Sequence, residues 1–271
     1  MTVTTQLPLY QVDAFTDRPF AGNPAAVVLL DEWPGDALLQ AIAAENNLAE
    51  TAYLVPAGPR WDLRWFTPTT EVVLCGHATL ASAFVLWHCR GETAASLEFE
   101  TRHSGRLRVT RDADWLQLDL PAHDIAEAEA PTELLAAMGE APAEVRVGPN
   151  WLLRYPDAAT IRGLAPDLRA LSLLPDRGVI VTAPGDEPGV DFVSRYFAPN
   201  FGVDEDPVTG SAHCMLAPFW AERLGRPRLV ARQLSQRGGN MRCEVAGDRV
   251  WVAGQAVLYM TGAIMVPADW P

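Results

Sequence analysis

Arg64-Trp65-Phe66-Thr67-Pro68, then Cys75-Gly76-His77-Ala78 and an apolar run to Trp87, has a counterpart in the second half of the chain. There Arg195-Tyr196-Phe197-Ala198-Pro199 precedes Thr209-Gly210-Ser211-Ala212 and an apolar run to Trp220. Each copy reads as a strand ending in Arg-aromatic-Phe-x-Pro, a loop, and a Gly-polar-Ala opening to a buried helix. The offset is about 131–134 residues (Arg64 to Arg195, Gly76 to Gly210), close to half of the 271 residues. That is too long for a solenoid repeat of roughly 20–50 residues, so the repeated unit is a domain. Two such domains facing each other would bring two helix N-termini to one cleft. Unpaired N–H groups and a partial positive charge at each make that a place to hold a carboxylate.

Working outward, Leu9–Phe15 alternates as an opening strand, and Thr16–Pro24 is a loop ending in the turn Gly22-Asn23-Pro24. Ala25–Leu30 is a short apolar run, hence a buried strand. A helix is predicted from Asp36, a candidate N-cap, with Leu38, Leu39, Ile42 and Ala43 on one face, fraying at Asn46-Asn47. Thr51–Val55 is a strand, which places Glu50 at a helix-to-strand junction. His77–Trp87 has almost no polar face, the mark of a helix buried on every side. Strands follow at Leu97–Phe99, Leu107–Arg111 and Trp115–Leu120, and a domain boundary is expected near Pro121.

The second half repeats the order. A short helix is expected at Leu164–Leu171, and strands at Val179–Thr182 and Phe192–Phe197. A central helix over Ser211–Leu224, kinked by Pro218, comes next, and then strands through Cys243–Val245, Val250–Val252 and Ala256–Tyr259. The expected fold class is α+β. Two similar domains, 1–120 and 121–271, would each be a mostly antiparallel sheet around a central apolar helix, with the extreme C-terminus free to pack back on the first.

With 49% apolar and 20% charged residues, the composition is that of a globular protein. A net charge of −13 and the absence of a Lys/Arg cluster argue against a nucleic-acid surface. Cys75, Cys89, Cys214 and Cys243 show neither CxxC pairing nor zinc-ligand spacing. Met1–Pro8 is short and polar, and Ala78–Trp87 falls far below the roughly 18 apolar residues of a membrane span. These cues lead to the expectation of a reduced, cytoplasmic protein with no membrane partner.

Several residues could carry chemistry. Glu50 stands among Leu48, Ala49, Ala52 and Leu54, and burial there would raise its pKa toward neutral, where a carboxyl both takes and gives a proton. The plainer alternative is a surface Glu at a strand start. His77, following Gly76 at the mouth of an apolar helix, can donate to a carboxylate or act as acid or base, or simply cap the helix. Cys75 beside it is either packing or a thiol at the site. Asp204-Glu205-Asp206 precede Thr209-Gly210-Ser211, whose N–H groups and hydroxyl suit an anionic ligand. One acid would suffice as a cap, and three in a row repel one another. The spacing is not that of a Walker A loop.

Five stretches in order, VDAFTDRPFAGNPAAVV, NNLAETAYLV, RWFTPTTEVVLCGHATLASA, RYFAPNFGVDEDPVTGSAH and SQRGG, resemble the PhzF family of phenazine biosynthesis-like proteins, with the diaminopimelate epimerase-like fold. The resemblance implies two like domains with the site in the cleft between them, no cofactor, no metal and a homodimer. It implies a cofactor-independent isomerase acting on a small carboxylate-bearing substrate. The proton-moving Glu falls on Glu50, the His on His77, and the Asp before Pro on Asp206. Gly76, Gly210 and Ser211 match groups that face the substrate carboxylate. Relatives by fold are epimerases and racemases using two cysteines. Cys75 stands where one would be, but no thiol stands near Pro207, and a one-sided thiol cannot invert a centre by the two-base route. Cys75 also departs from the small residue expected there in the phenazine enzyme. A family member that binds a small ligand without chemistry is the remaining alternative.

Overall fold

The all-apolar helix beginning at Gly76 needs apolar surface on every side, and the chain supplies it from strands. The computed structural model describes residues 4–175 and 177–267. The chain divides into two units, Met1–Asp119 with Ala253–Pro271, and Leu120–Val252.

In the first unit the elements are β1 (Thr4–Ala14), β2 (Asn23–Leu29), α1 (Asp36–Asn46), β3 (Glu50–Ala57), β4 (Arg60–Phe66) and β5 (Glu71–Val72). They continue with α2 (Gly76–Cys89), β6 (Ser96–Thr101), β7 (Arg106–Asp112) and β8 (Trp115–Pro121). β1 pairs antiparallel with β2, β2 parallel with β3, β3 antiparallel with β4, β4 parallel with β6, and β6 antiparallel with β7. β7 is antiparallel to β8. The middle strands β2 and β3 are buried almost continuously, because both faces are covered. α1 packs Leu38, Leu39 and Ile42 against Val28, Tyr53 and Phe66 on one face, and α2 lies against β1, β2 and β3. β6, β7 and β8 instead alternate buried and open residues, as strands with one solvated face do.

The second unit holds β9 (Ala126–Glu127), α3 (Thr132–Met138), β10 (Glu144–Val147), β11 (Trp151–Arg154), α4 (Ala158–Gly163), α5 (Leu168–Ser172), β12 (Val179–Pro184) and β13 (Phe192–Phe197). A 3-10 turn (Pro199–Phe201), α6 (His213–Leu224), β14 (Arg228–Gln233), β15 (Gly239–Ala246) and β16 (Arg249–Gly254) follow, and β17 (Ala256–Pro267) belongs to the first unit. β10 is antiparallel to β11, β11 parallel to β12, β12 antiparallel to β13, β13 parallel to β14, and β14 antiparallel to β15. This is the pairing order of the first unit, and the helices enter at the same places. α1 matches the α4–α5 pair, and α2 matches α6. β17 pairs antiparallel with β1 along its whole length, from Ala14↔Ala256 to Thr4↔Pro267.

Three local expectations are corrected. Asp36 is the first residue of α1 rather than its cap; Gly35 is the cap, and the Asp36 carboxylate is held by Arg64 and Arg102. The helix expected at Leu164–Leu171 starts only at Leu168 (α5), the stretch 164–167 around Pro166 being non-helical and α4 ending before it at Gly163. Pro166 has no N–H to continue a helix, and Asp167 starts α5 by accepting from Ala170 N at 2.9 Å. The second central helix begins at His213, not Ser211.

Candidate active site

Glu50 opens β3 directly after α1. Asn47 ends that helix with φ of 50°, a left-handed conformation that Asn tolerates. Ala25 of β2 sits opposite Glu50, so Asn23, which opens β2, arrives at the same end of the sheet. α2 delivers His77 there from its first turn, with Cys75 as its extended N-cap residue. The three segments meet around one imidazole. His77 Nε2 lies 3.1 Å from Glu50 Oε2. On the other side of the ring, Nδ1 is 3.2 Å from Asn23 Nδ2 and 3.4 Å from Cys75 Sγ.

The His77 side chain is 6% exposed and that of Glu50 17%. Although close, Glu50 Oε2 and His77 Nε2 do not line up into a hydrogen bond, and each is buried without another partner among the described residues. Buried polar atoms with spare capacity of this kind are costly unless a further group uses them.

Burial works against a charged ring, but the Cys75 sulfur and the Glu50 carboxylate outweigh it and hold the His77 pKa well above its ordinary value. Burial first, and the Glu50 charge next, push the Cys75 thiol up to about 11. The thiol is therefore uncharged at neutral pH, and the carboxylate is the charge that favours an imidazolium. Glu50, Cys75 and His77 put ligand-type atoms within 4.8 Å of one another, a donor set zinc can use. The ring turns Nδ1 to the sulfur and Nε2 to the carboxylate, which suits a proton path better than three donors converging on one ion.

Asn23 is the residue that reading the sequence missed. Its Gly22-Asn23-Pro24 setting reads as a turn, yet Asn23 is fully buried. The loop that delivers it is strained: Phe15 and Phe20 have φ of 63° and 67°, and Gly22 has φ of 66°. A bulky residue at positive φ is costly and persists only where its surroundings hold it. Asp13, itself buried, accepts from Phe20 N at 3.0 Å. A Cβ on Gly254 would lie 2.3 Å from the Phe15 ring, so the glycine is what lets that ring in.

In the second unit the three adjacent acids go to separate places. Glu205 takes the fork of Arg195, at 2.7 and 2.9 Å. Asp206 accepts from the Thr209 hydroxyl, and Asp204 is exposed. The repulsion expected from three neighbouring carboxylates is thus relieved by geometry. Arg64 makes the same fork to Glu71, at 2.7 and 2.8 Å. Arg64 and Arg195 each also stack on the Phe two residues later, at 5.1 and 4.8 Å.

Gln233, also missed, staples the Asp206–Thr209 turn. Its Oε1 accepts from Thr209 N at 2.9 Å, and its Nε2 donates to the Asp206 carbonyl at 2.8 Å. Gln233 lies two residues before the SQRGG stretch, but nothing in the spacing marks it. Gly210 is buried and Ser211 exposed. Their carbonyls accept from His213 N and Cys214 N, both at 3.1 Å, so they form the turn before α6 rather than its first residues. His213 reaches back to the Thr209 carbonyl at 2.8 Å, as the Thr79 hydroxyl reaches the Cys75 carbonyl at 2.6 Å.

The sequence profile of the phenazine biosynthesis-like proteins (PhzC-PhzF) matches residues 12–262. An uncharacterised isomerase of Pseudomonas aeruginosa is 52% identical over 259 residues, covering 96% of this chain and 99% of the relative. A crystal structure of a PhzF-family phenazine biosynthesis protein from Enterococcus faecalis superposes with a TM-score of 0.92 at 44% identity, covering 96% of this chain and 99% of that one. A structure named as a predicted epimerase of Pseudomonas aeruginosa has a TM-score of 0.76 at 26% identity, covering 95% and 99%. By sequence over nearly its whole length and by fold, the chain belongs to the PhzF family of phenazine biosynthesis-like proteins.

Proposed function

We propose that this protein is a cofactor-independent isomerase that moves a proton on a small carboxylate-bearing substrate, with Glu50 as the acid/base. The observation that carries the reading is the buried Glu50–His77 pair, 3.1 Å apart with unspent hydrogen-bonding capacity on both atoms. A carboxylate taking a proton from carbon needs a partner that stabilises or relays it, and an imidazole on its inner side does both. In this reading His77 completes the proton path. The first residues of α2 after Cys75, and the Gly210–Ser211 turn, offer donors to the substrate carboxylate. Asp206, fixed by Thr209 and the Gln233 staple, is the carboxylate assigned to orient the substrate. The name of the 52% identical relative, an isomerase, agrees with this class.

The experiment is solvent-deuterium incorporation into a panel of amino and hydroxy carboxylic acids, read by mass. The parent protein should label at least one acid, and Glu50→Gln should abolish labelling while leaving folding and ligand affinity close to normal. Full labelling by Glu50→Gln would end the proposal.

The two-cysteine racemase reading has less support. Thr209 stands where the second thiol would precede Gly210, and Cys214 is buried inside α6, pushed up to about 12 mainly by burial. A racemase would lose all activity on Cys75→Ser. The homodimer expected from the family resemblance is tested by light scattering of the full chain.

A further inference from the structure

Both ring nitrogens of His77 have close neighbours, and the neighbours differ in kind. Nε2 faces a carboxylate oxygen, which can only accept a proton. Nδ1 faces the Asn23 amide nitrogen at 3.2 Å, a group that can only donate. Cys75 Sγ, the other neighbour of Nδ1 at 3.4 Å, donates or accepts with equal ease. It does not choose a tautomer.

We infer that Asn23 is a positioning residue that keeps Nδ1 of the neutral His77 ring unprotonated and so places the ring's one proton on Nε2, toward Glu50. The fold holds Asn23 to this task from three directions. It is fully buried. Its backbone is registered by β-pairing with Ala14. The loop before it bends through Phe15, Phe20 and Gly22 at positive φ, and at Gly22 no side chain fits, since a Cβ would meet the Ala14 carbonyl at 2.1 Å. Strain concentrated beside one buried amide is what a constraint on side-chain direction requires. The consequence deepens the acid/base reading and rests on it. With the proton on Nε2, the ring carries its one N–H on the side of Glu50, 3.1 Å from the carboxylate oxygen. A proton on Nδ1 would point away from the reacting carboxylate.

The test reads the tautomer directly and needs no substrate, so its outcome is independent of whether turnover is found. The protein is labelled with imidazole-15N histidine, and His77 is assigned by comparison with His77→Gln. Nitrogen shifts are then followed from neutral to alkaline pH, where the ring becomes neutral. In the parent, Nδ1 should move to the pyridine-type position and Nε2 stay pyrrole-type. Asn23→Ala should bring both nitrogens toward averaged positions. Asn23→Asp, whose carboxylate accepts, should invert the pattern. A parent ring carrying its proton on Nδ1 overturns the inference, and so does an Asn23→Ala ring that keeps its proton wholly on Nε2, because Glu50, 3.1 Å from Nε2, would then set the tautomer by itself. Scrambling by Cys75→Ala with no effect of Asn23→Ala also overturns it, because the thiol would then be the positioning group.

Discussion

His213 makes this protein lose stability in mild acid, by an amount that follows from its surroundings. The side chain is fully buried, Nδ1 donates to the Thr209 carbonyl, and the ring packs against Phe192 with centroids 5.8 Å apart. Burial lowers its pKa from 6.5 to about 4, the Thr209 bond recovering only part of the loss. Above pH 6.5 the ring is neutral in both the folded and the unfolded chain and contributes no pH dependence. Between pH 6.5 and 4 the unfolded chain binds a proton that the folded one refuses, so stability falls as pH falls, and the loss levels off below pH 4. At 1.36 kcal/mol per pKa unit, the shift amounts to about 3 kcal/mol. The raised pKa of His77 acts in another window. Its contribution is fully present below pH 6.5 and is lost only as pH rises, so it does not mask the effect. The assay is urea denaturation from pH 7.5 to 4.5 of the parent and of His213→Gln, which can still donate an N–H but does not titrate. The parent should lose about 2.5 kcal/mol more than the variant across that range. Parallel decline of the two proteins would show that His213 is not held neutral and would refute the reasoning.

Gly22→Ala should destabilise by at least about 2 kcal/mol in thermal unfolding, since it adds a left-handed penalty to a clash with the Ala14 carbonyl; an unchanged Tm would mean the loop is free to relax. Gln233→Leu removes both stapling bonds of the Asp206–Thr209 turn. It should cost roughly 3 kcal/mol in urea denaturation, with Gln233→Glu, which keeps the acceptor, costing less. Cys75, with a thiol near 11 and its residue 6% exposed, should react with iodoacetamide in the folded protein at about a thousandth of its ionised rate at pH 8. The rate should rise in Glu50→Gln, and a rate at pH 8 typical of a free thiol would contradict the burial argument.

What could be read from the chain is what is written locally. An apolar helix with no polar face must be wrapped, and it says so twice, at His77–Trp87 and before Trp220. Arg64 and Arg195, each two residues before a Phe, mark equivalent strand ends, and each turns back over that Phe to a glutamate seven or ten residues further on. Glu50, Cys75 and His77 were visible as candidates because their types are chemically loaded and their neighbours apolar. That these three converge was not legible from spacing. His77 meets Glu50 because β2 and β3 run parallel while α2 packs against both, a matter of tertiary arrangement. Asn23 looked like an ordinary turn residue, since a buried amide has no periodic signature, and only its 3.2 Å approach to the ring gives it a role. Gln233 was silent for the same reason. Pro166, by contrast, was a legible break that Leu164–Leu171 should have respected. Local pattern therefore determined the elements and the residue types at the site, because helix and strand formation depend on near neighbours in the chain. The tertiary structure alone decided which polar atoms are shut away from water and face one another, because burial and hydrogen-bond direction are properties of segments far apart in sequence.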